Sequence, residues 1–115
     1  MYTEENIKEL ERKVKAIQTK YKEAAELNQL GIKLEKEGNV DEAAVIYEYL
    51  ILNSFDGSHP YDRLLAIYKK QKQKENIIRI LEKAVWVFEN VVYEKRADRK
   101  KKLEKYKEKL DKERS

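Results

Sequence analysis

Cysteine is absent from the sequence, which excludes a disulfide framework, a thiolate nucleophile, an iron–sulfur cluster and a cysteine-rich zinc site. Histidine occurs once, at His59, and one histidine cannot build the usual zinc cluster. The Asp and Glu spacing shows no calcium-loop pattern either. No apolar stretch approaches the roughly 20 residues needed to cross a bilayer. The start, Met1-Tyr2-Thr3-Glu4-Glu5, is acidic and lacks the basic residues and apolar run of a secretion signal. With so few convergent reactive groups, no catalysis, cofactor or metal is expected. The expectation is a cytoplasmic protein without a membrane partner.

Glycine and proline are also scarce, with three and one residues, so little in the chain interrupts a helix. Charged residues make up 42% and hydrophobic residues 41%, and the charges sit among Ala, Leu, Glu and Lys, all strong helix formers. At 115 residues there is room for one all-α domain. The net charge of +4 is uneven: residues 93–115 hold 11 Lys and Arg against 6 Asp and Glu, leaving 15 against 16 elsewhere. The basic character therefore belongs to the C-terminal segment. Its interleaved signs are what an ordinary solvated helix carries.

Hydrophobic periodicity predicts about four helices. The first 37 residues read as one long helix, capped by Thr3 and striped by Ile7, Val14 and Tyr21 and by Leu10, Ile17 and Ala24, each set at heptad spacing, continuing through Leu27, Leu30 and Leu34. Gly38 ends it. Asn39 and Glu42 then form a candidate capping box for a second helix over about 40–53. The clearest loop is 54–60, with Ser58 or His59 as cap and Pro60 in the first turn of a third helix over about 60–71. A turn is placed within 69–74 on pattern alone. A fourth helix starts near Glu75 and meets no stop signal before the chain end, its stripe continuing through Val92, Leu103, Tyr106 and Leu110.

An offset of 34 residues superposes two segments without a gap. Leu27, Leu30, Gly31 and Leu34 fall on Tyr61, Leu64, Leu65 and Tyr68, and Ala43, Tyr47 and Leu50 fall on Ile77, Leu81 and Ala84. With Leu30, Gly31 and Leu34, then Gly38-Asn39-Val40-Asp41-Glu42-Ala43 and Tyr47, and with Pro60 before Tyr61, Leu64 and Tyr68, the chain resembles the tetratricopeptide repeat family. The resemblance covers residues 24–87 and implies two antiparallel helical hairpins within 24–90, flanked by helical extensions at 4–24 and 90–112. Small residues let the helices of such a hairpin approach closely; Gly31 and Ala43 fit that role, whereas Leu65 and Ile77 imply a wider second hairpin. The competing reading is an ordinary four-helix bundle.

Two hairpins are fewer than a stable solenoid usually needs, so the extensions should cover the exposed ends. Each gives about 30 Å of helix at 1.5 Å per residue and could pair antiparallel with the other. The alternative is that the helix-one stripe faces a second copy as a homodimer seam.

The resemblance further implies a non-catalytic adaptor that binds a protein or peptide along the first helices of its repeats. Carried over position by position, that surface contains Asn28, Ile32, Glu35 and Lys36 from the first unit, with Asp62, Lys69 and Lys70 from the second. Asn28 and Ile32 stand where the family's binders of terminal carboxylates have Lys and Asn, which speaks against that activity. The alternative surface is the basic series Arg96, Arg99, Lys100, Lys101, Lys102, Lys105 and Lys109, which would release counterions from a nucleic-acid backbone.

Overall fold

A computed structural model describes residues 4–18 and 23–115, and among these it is all-helical, with six helices and no strand. They are α1 (Glu4–Gln18), α2 (Ala24–Lys36), α3 (Val40–Leu52), α4 (His59–Lys70), α5 (Lys74–Asn90) and α6 (Arg99–Arg114). Thr3 and Tyr21 lie outside the described residues, as does the Ile17 side chain.

Two long helices expected from the sequence are each divided. The first does not run unbroken to residue 37, because Glu23 adopts an extended backbone (φ −109°, ψ 147°) before α2 begins. Nothing in the local composition marks that break. The last expected helix stops at Asn90, where the amides of Val91 and Val92 both bond to the Val87 carbonyl (2.8 and 3.0 Å) and the chain turns away. Arg96 clamps the reversal. Its guanidinium bonds to Asp98 (2.6 and 3.2 Å), lies 3.6 Å from Asp56 and sits 5.6 Å from the Phe88 ring centroid.

That reversal lays α6 antiparallel along α5: Arg99 donates to the Glu89 carbonyl, Tyr106 meets Phe88 edge-on at 5.4 Å, and Arg114 pairs with Glu82. Tyr106 and Leu110 are thereby buried. At the other end α1 packs on α3 through Leu10 and Val14, which are 5% and 0% exposed. The expected pairing of the two extensions with each other is therefore corrected: the apolar stripe of each finds its neighbour in the helices between them. Leu10 and Val14 are two of the residues of the expected helix-one stripe.

Three helix ends are closed by one device. After α2, the amide of Asn39 bonds to Leu34 O (2.8 Å) and that of Gly38 to Glu35 O (3.0 Å), with Gly38 at φ +86°. After α3 the same pair of bonds is made by Phe55 and Ser54, and after α4 by Gln73 and Lys72. Ser54 and Lys72 both take φ +57°, a left-handed conformation that usually selects glycine. Gly38 and Lys72 are 34 residues apart, as are the helix starts Val40 and Lys74, so the repeat offset is preserved in the backbone. The capping box expected at Asn39 and Glu42 does not form. Asn39's amide already serves Leu34, its backbone is not extended, and its side chain makes no cap bond.

Gly31 lies under the ring of Tyr47, and a Cβ there would come within 2.5 Å of Tyr47 Cε1. This is the close approach of α2 and α3 that the small residue was expected to permit. The buried carboxylate of Glu48 on α3 accepts from Tyr68 of α4 (2.6 Å) and from Arg79 of α5 (2.7 and 3.0 Å). Three helices thus share one satisfied polar node.

Candidate functional site

Helix α4 lies between α2 and α6 and offers each a different side. Towards α2 it turns His59 and Arg63, one helical turn apart. His59 Nδ1 is 3.0 Å from Asn28 Oδ1, so the proton sits on Nδ1 and the carbonyl oxygen accepts it. The imidazole also meets the Tyr47 ring edge-on at 5.5 Å. Arg63 holds Glu35 through bonds of 2.6, 3.0 and 3.1 Å, and Tyr47 donates to the same carboxylate at 2.9 Å. The Arg63 bonds, joined by that of Tyr47, keep the Glu35 carboxyl below its ordinary range despite partial burial. Burial, helped by Arg63, pushes His59 below its ordinary value, with Glu35 and Asp62 opposing. Ile32, Glu35, Lys36, His59 and Arg63 surround a shallow depression of about 250 Å³.

Towards α6, α4 turns Asp62, Ala66 and Lys69, spaced four and three residues apart on one face. These three join Leu65, with Ile77 and Leu81 of α5 and Lys109, Lys112 and Glu113 of α6, around a groove of about 450 Å³. Its floor has a sequence origin. Leu65, Ile77 and Leu81 occupy the repeat positions of Gly31, Ala43 and Tyr47. Gly31 and Tyr47 meet at the α2–α3 contact, whereas Leu65, Ile77 and Leu81 line an open groove. At one end Asp62 accepts from Lys102 (2.8 Å) and Tyr106 (2.9 Å), so its charge is already met. Burial lowers the Lys109 pKa, and Lys105, Lys102 and Lys69 lower it further against Asp62.

The seven residues expected to form one binding surface are therefore divided. Ile32, Glu35 and Lys36 meet at the α2–α4 depression, with Asn28 beneath it, buried against His59. Asp62 and Lys69 belong to the α4–α6 groove, and Lys70 is exposed and lines neither.

The basic series is divided too. Arg96 and Lys102 are consumed by internal carboxylates, Arg99 reaches the Glu89 carbonyl while its buried Nε has no partner, and Lys100 and Lys101 are exposed. Lys109 lines the groove, with Lys105 one turn before it. Arg63, Lys112 and Glu113 were not expected from the sequence. The one available signal was the Lys102, Lys105, Lys109, Lys112 spacing of three, four and three, which puts four lysines on one side of a helix.

Among the described residues, no three His, Asp or Glu side chains are grouped to hold a metal ion, and no helix is long and apolar enough to cross a membrane. Comparisons with protein-family models, curated proteins and solved structures find no match.

Proposed function

We propose that this chain is a non-catalytic protein-interaction module built as two tetratricopeptide-like hairpins, α2–α3 and α4–α5, with α1 and α6 covering their open sides. It would hold a segment of another protein along the side formed by α2, α4 and α6. The observation that carries this reading is the α4–α6 groove, which combines an aliphatic floor with a charged rim at a volume that suits side chains from a partner. The three helices are held in fixed relation by Asn28 with His59, Glu35 with Arg63, and Asp62 with Lys102 and Tyr106, so a partner would meet a preformed surface.

A photo-crosslinking residue placed at Ala66 on the groove, or at Ile32 on the neighbouring depression, should trap a discrete protein in the native cells. The same residue at the exposed Lys101 should not. Equal labelling at all three positions, or adducts with nucleic acid alone, would remove the reading. Nucleic-acid binding by the basic series has less support, since Arg96 and Lys102 already neutralise carboxylates of the chain itself.

A further inference from the structure

We propose that the α4–α6 groove takes an acidic–apolar protein segment, its carboxylate side chains meeting Lys69, Lys105, Lys109 and Lys112 while its apolar side chains rest on Ile77 and Ala66. The proposal rests on the protein-interaction reading and names the chemistry of the partner.

The charges of the groove itself support it. Lys69, Lys109 and Lys112 line it with Lys105 one turn before Lys109, and none of these four is in an ion pair among the described residues, whereas Lys102 at the groove's end is held by Asp62. Lys69 faces Lys109 from the opposite helix, and after burial the neighbouring charges of Lys105, Lys102 and Lys69 further disfavour the charged form of Lys109. Of the two groove carboxylates, Asp62 is occupied by Lys102 and Tyr106, which leaves Glu113 at the lip. An arriving carboxylate would relieve lysine–lysine repulsion, and an apolar neighbour would cover the floor. A bare polyanion would use only the lysines and leave the aliphatic floor wet. Because the charge comes from side chains spread along α6, a free C-terminus on the partner is not required.

The test is to pan a random-peptide display library against the full-length chain and then synthesise the leading selected peptide with a fluorophore and an amidated C-terminus. Selected sequences should be enriched in Asp and Glu alternating with Leu, Ile or aromatic residues. Amide shifts on binding should map to the groove, including Ala66 and Lys109. Affinity should fall as salt rises. Lys109→Glu combined with Lys112→Glu should weaken binding by about tenfold or more, as should Lys69→Glu on the other wall, with the helical circular dichroism signal unchanged.

Selected peptides that are neutral or basic, or that map to another surface, would overturn this proposal while leaving a protein-interaction role standing. A library yielding no binder would count against both. Displacement of the peptide by a polyglutamate lacking apolar residues, at equal affinity, would overturn the apolar half of the contact. Tighter binding of an oligonucleotide to the same lysines would give the groove to a different class of partner.

Discussion

At the scale of single residues, Gly31 and Glu35 have the most sharply defined surroundings on α2. Gly31→Leu would drive its side chain into the Tyr47 ring, where even a Cβ meets Cε1 at 2.5 Å. Overpacking of this kind costs about 1 to 3 kcal/mol, so the urea midpoint should drop clearly; an unchanged midpoint would contradict the α2–α3 packing. The sequence disclosed this site well, because a glycine within a leucine stripe has few explanations other than close helix approach. Glu35 was legible as a surface residue but not as an anchor. Its partner Arg63 lies 28 positions away, and no local pattern links them. Since the Glu35 pKa is lowered on folding from its ordinary value of 4.5, the unfolded chain binds the proton more readily. Its contribution is therefore complete above that value and is lost as pH falls below it. Glu35→Gln should remove this part of the acid limb and cost about 1 kcal/mol at neutral pH, a modest figure because the Arg63 side chain is 43% exposed. Denaturation curves from pH 3 to 6 check both effects, and a Glu35→Gln profile parallel to the original would contradict them.

Among the helices, the ends show best where sequence reasoning succeeded and where it stopped. The α2–α3 turn was readable from Gly38, whereas the α4–α5 turn was placed on hydrophobic pattern alone, since residues 69–74 contain no glycine or proline. Both turns use the same two backbone bonds, and Lys72 holds the position that glycine holds in the first. Lys72 is exposed, so its side chain has no packing role to lose. Lys72→Gly should relieve the left-handed strain and, after the entropy of an added glycine is subtracted, raise stability by about 0.5 to 1 kcal/mol. A thermal melt tests this; a lower midpoint would mean the turn is not the left-handed one described. The breaks at Glu23 and Val91 stayed hidden for a different reason. Their residues tolerate a helix, and what ends it is tertiary: Leu10 and Val14 find α3, while Phe88 receives Tyr106 once α6 folds back. The candidate groove was hidden likewise, because Lys69 of α4 and Lys112 of α6 face one groove only after that reversal.

For the whole molecule, stability should be graded along the chain. The middle is tied at many points: Glu48 joins α3, α4 and α5, and Asp62 joins α4 to α6. Helix α1 is attached differently. Its buried anchors among the described side chains are Leu10 and Val14, its contacts run mainly to α3, and its Lys13–Glu9 ion pair lies within the helix and is more than half exposed. Two aliphatic anchors contribute about 1.5 to 3 kcal/mol each, and fixing fifteen residues in a helix consumes much of that. Local opening of α1 should therefore cost less than global unfolding. Native-state hydrogen exchange should show α1 amides exchanging through a low-energy opening with little denaturant dependence, while buried amides of α3 and α5 follow global unfolding. Val14→Ala should speed α1 exchange and leave the α5 rates close to unchanged. If α1 and α5 instead exchange with the same free energy and the same denaturant dependence, α1 is an integral part of the core rather than a separately opening cover on α3.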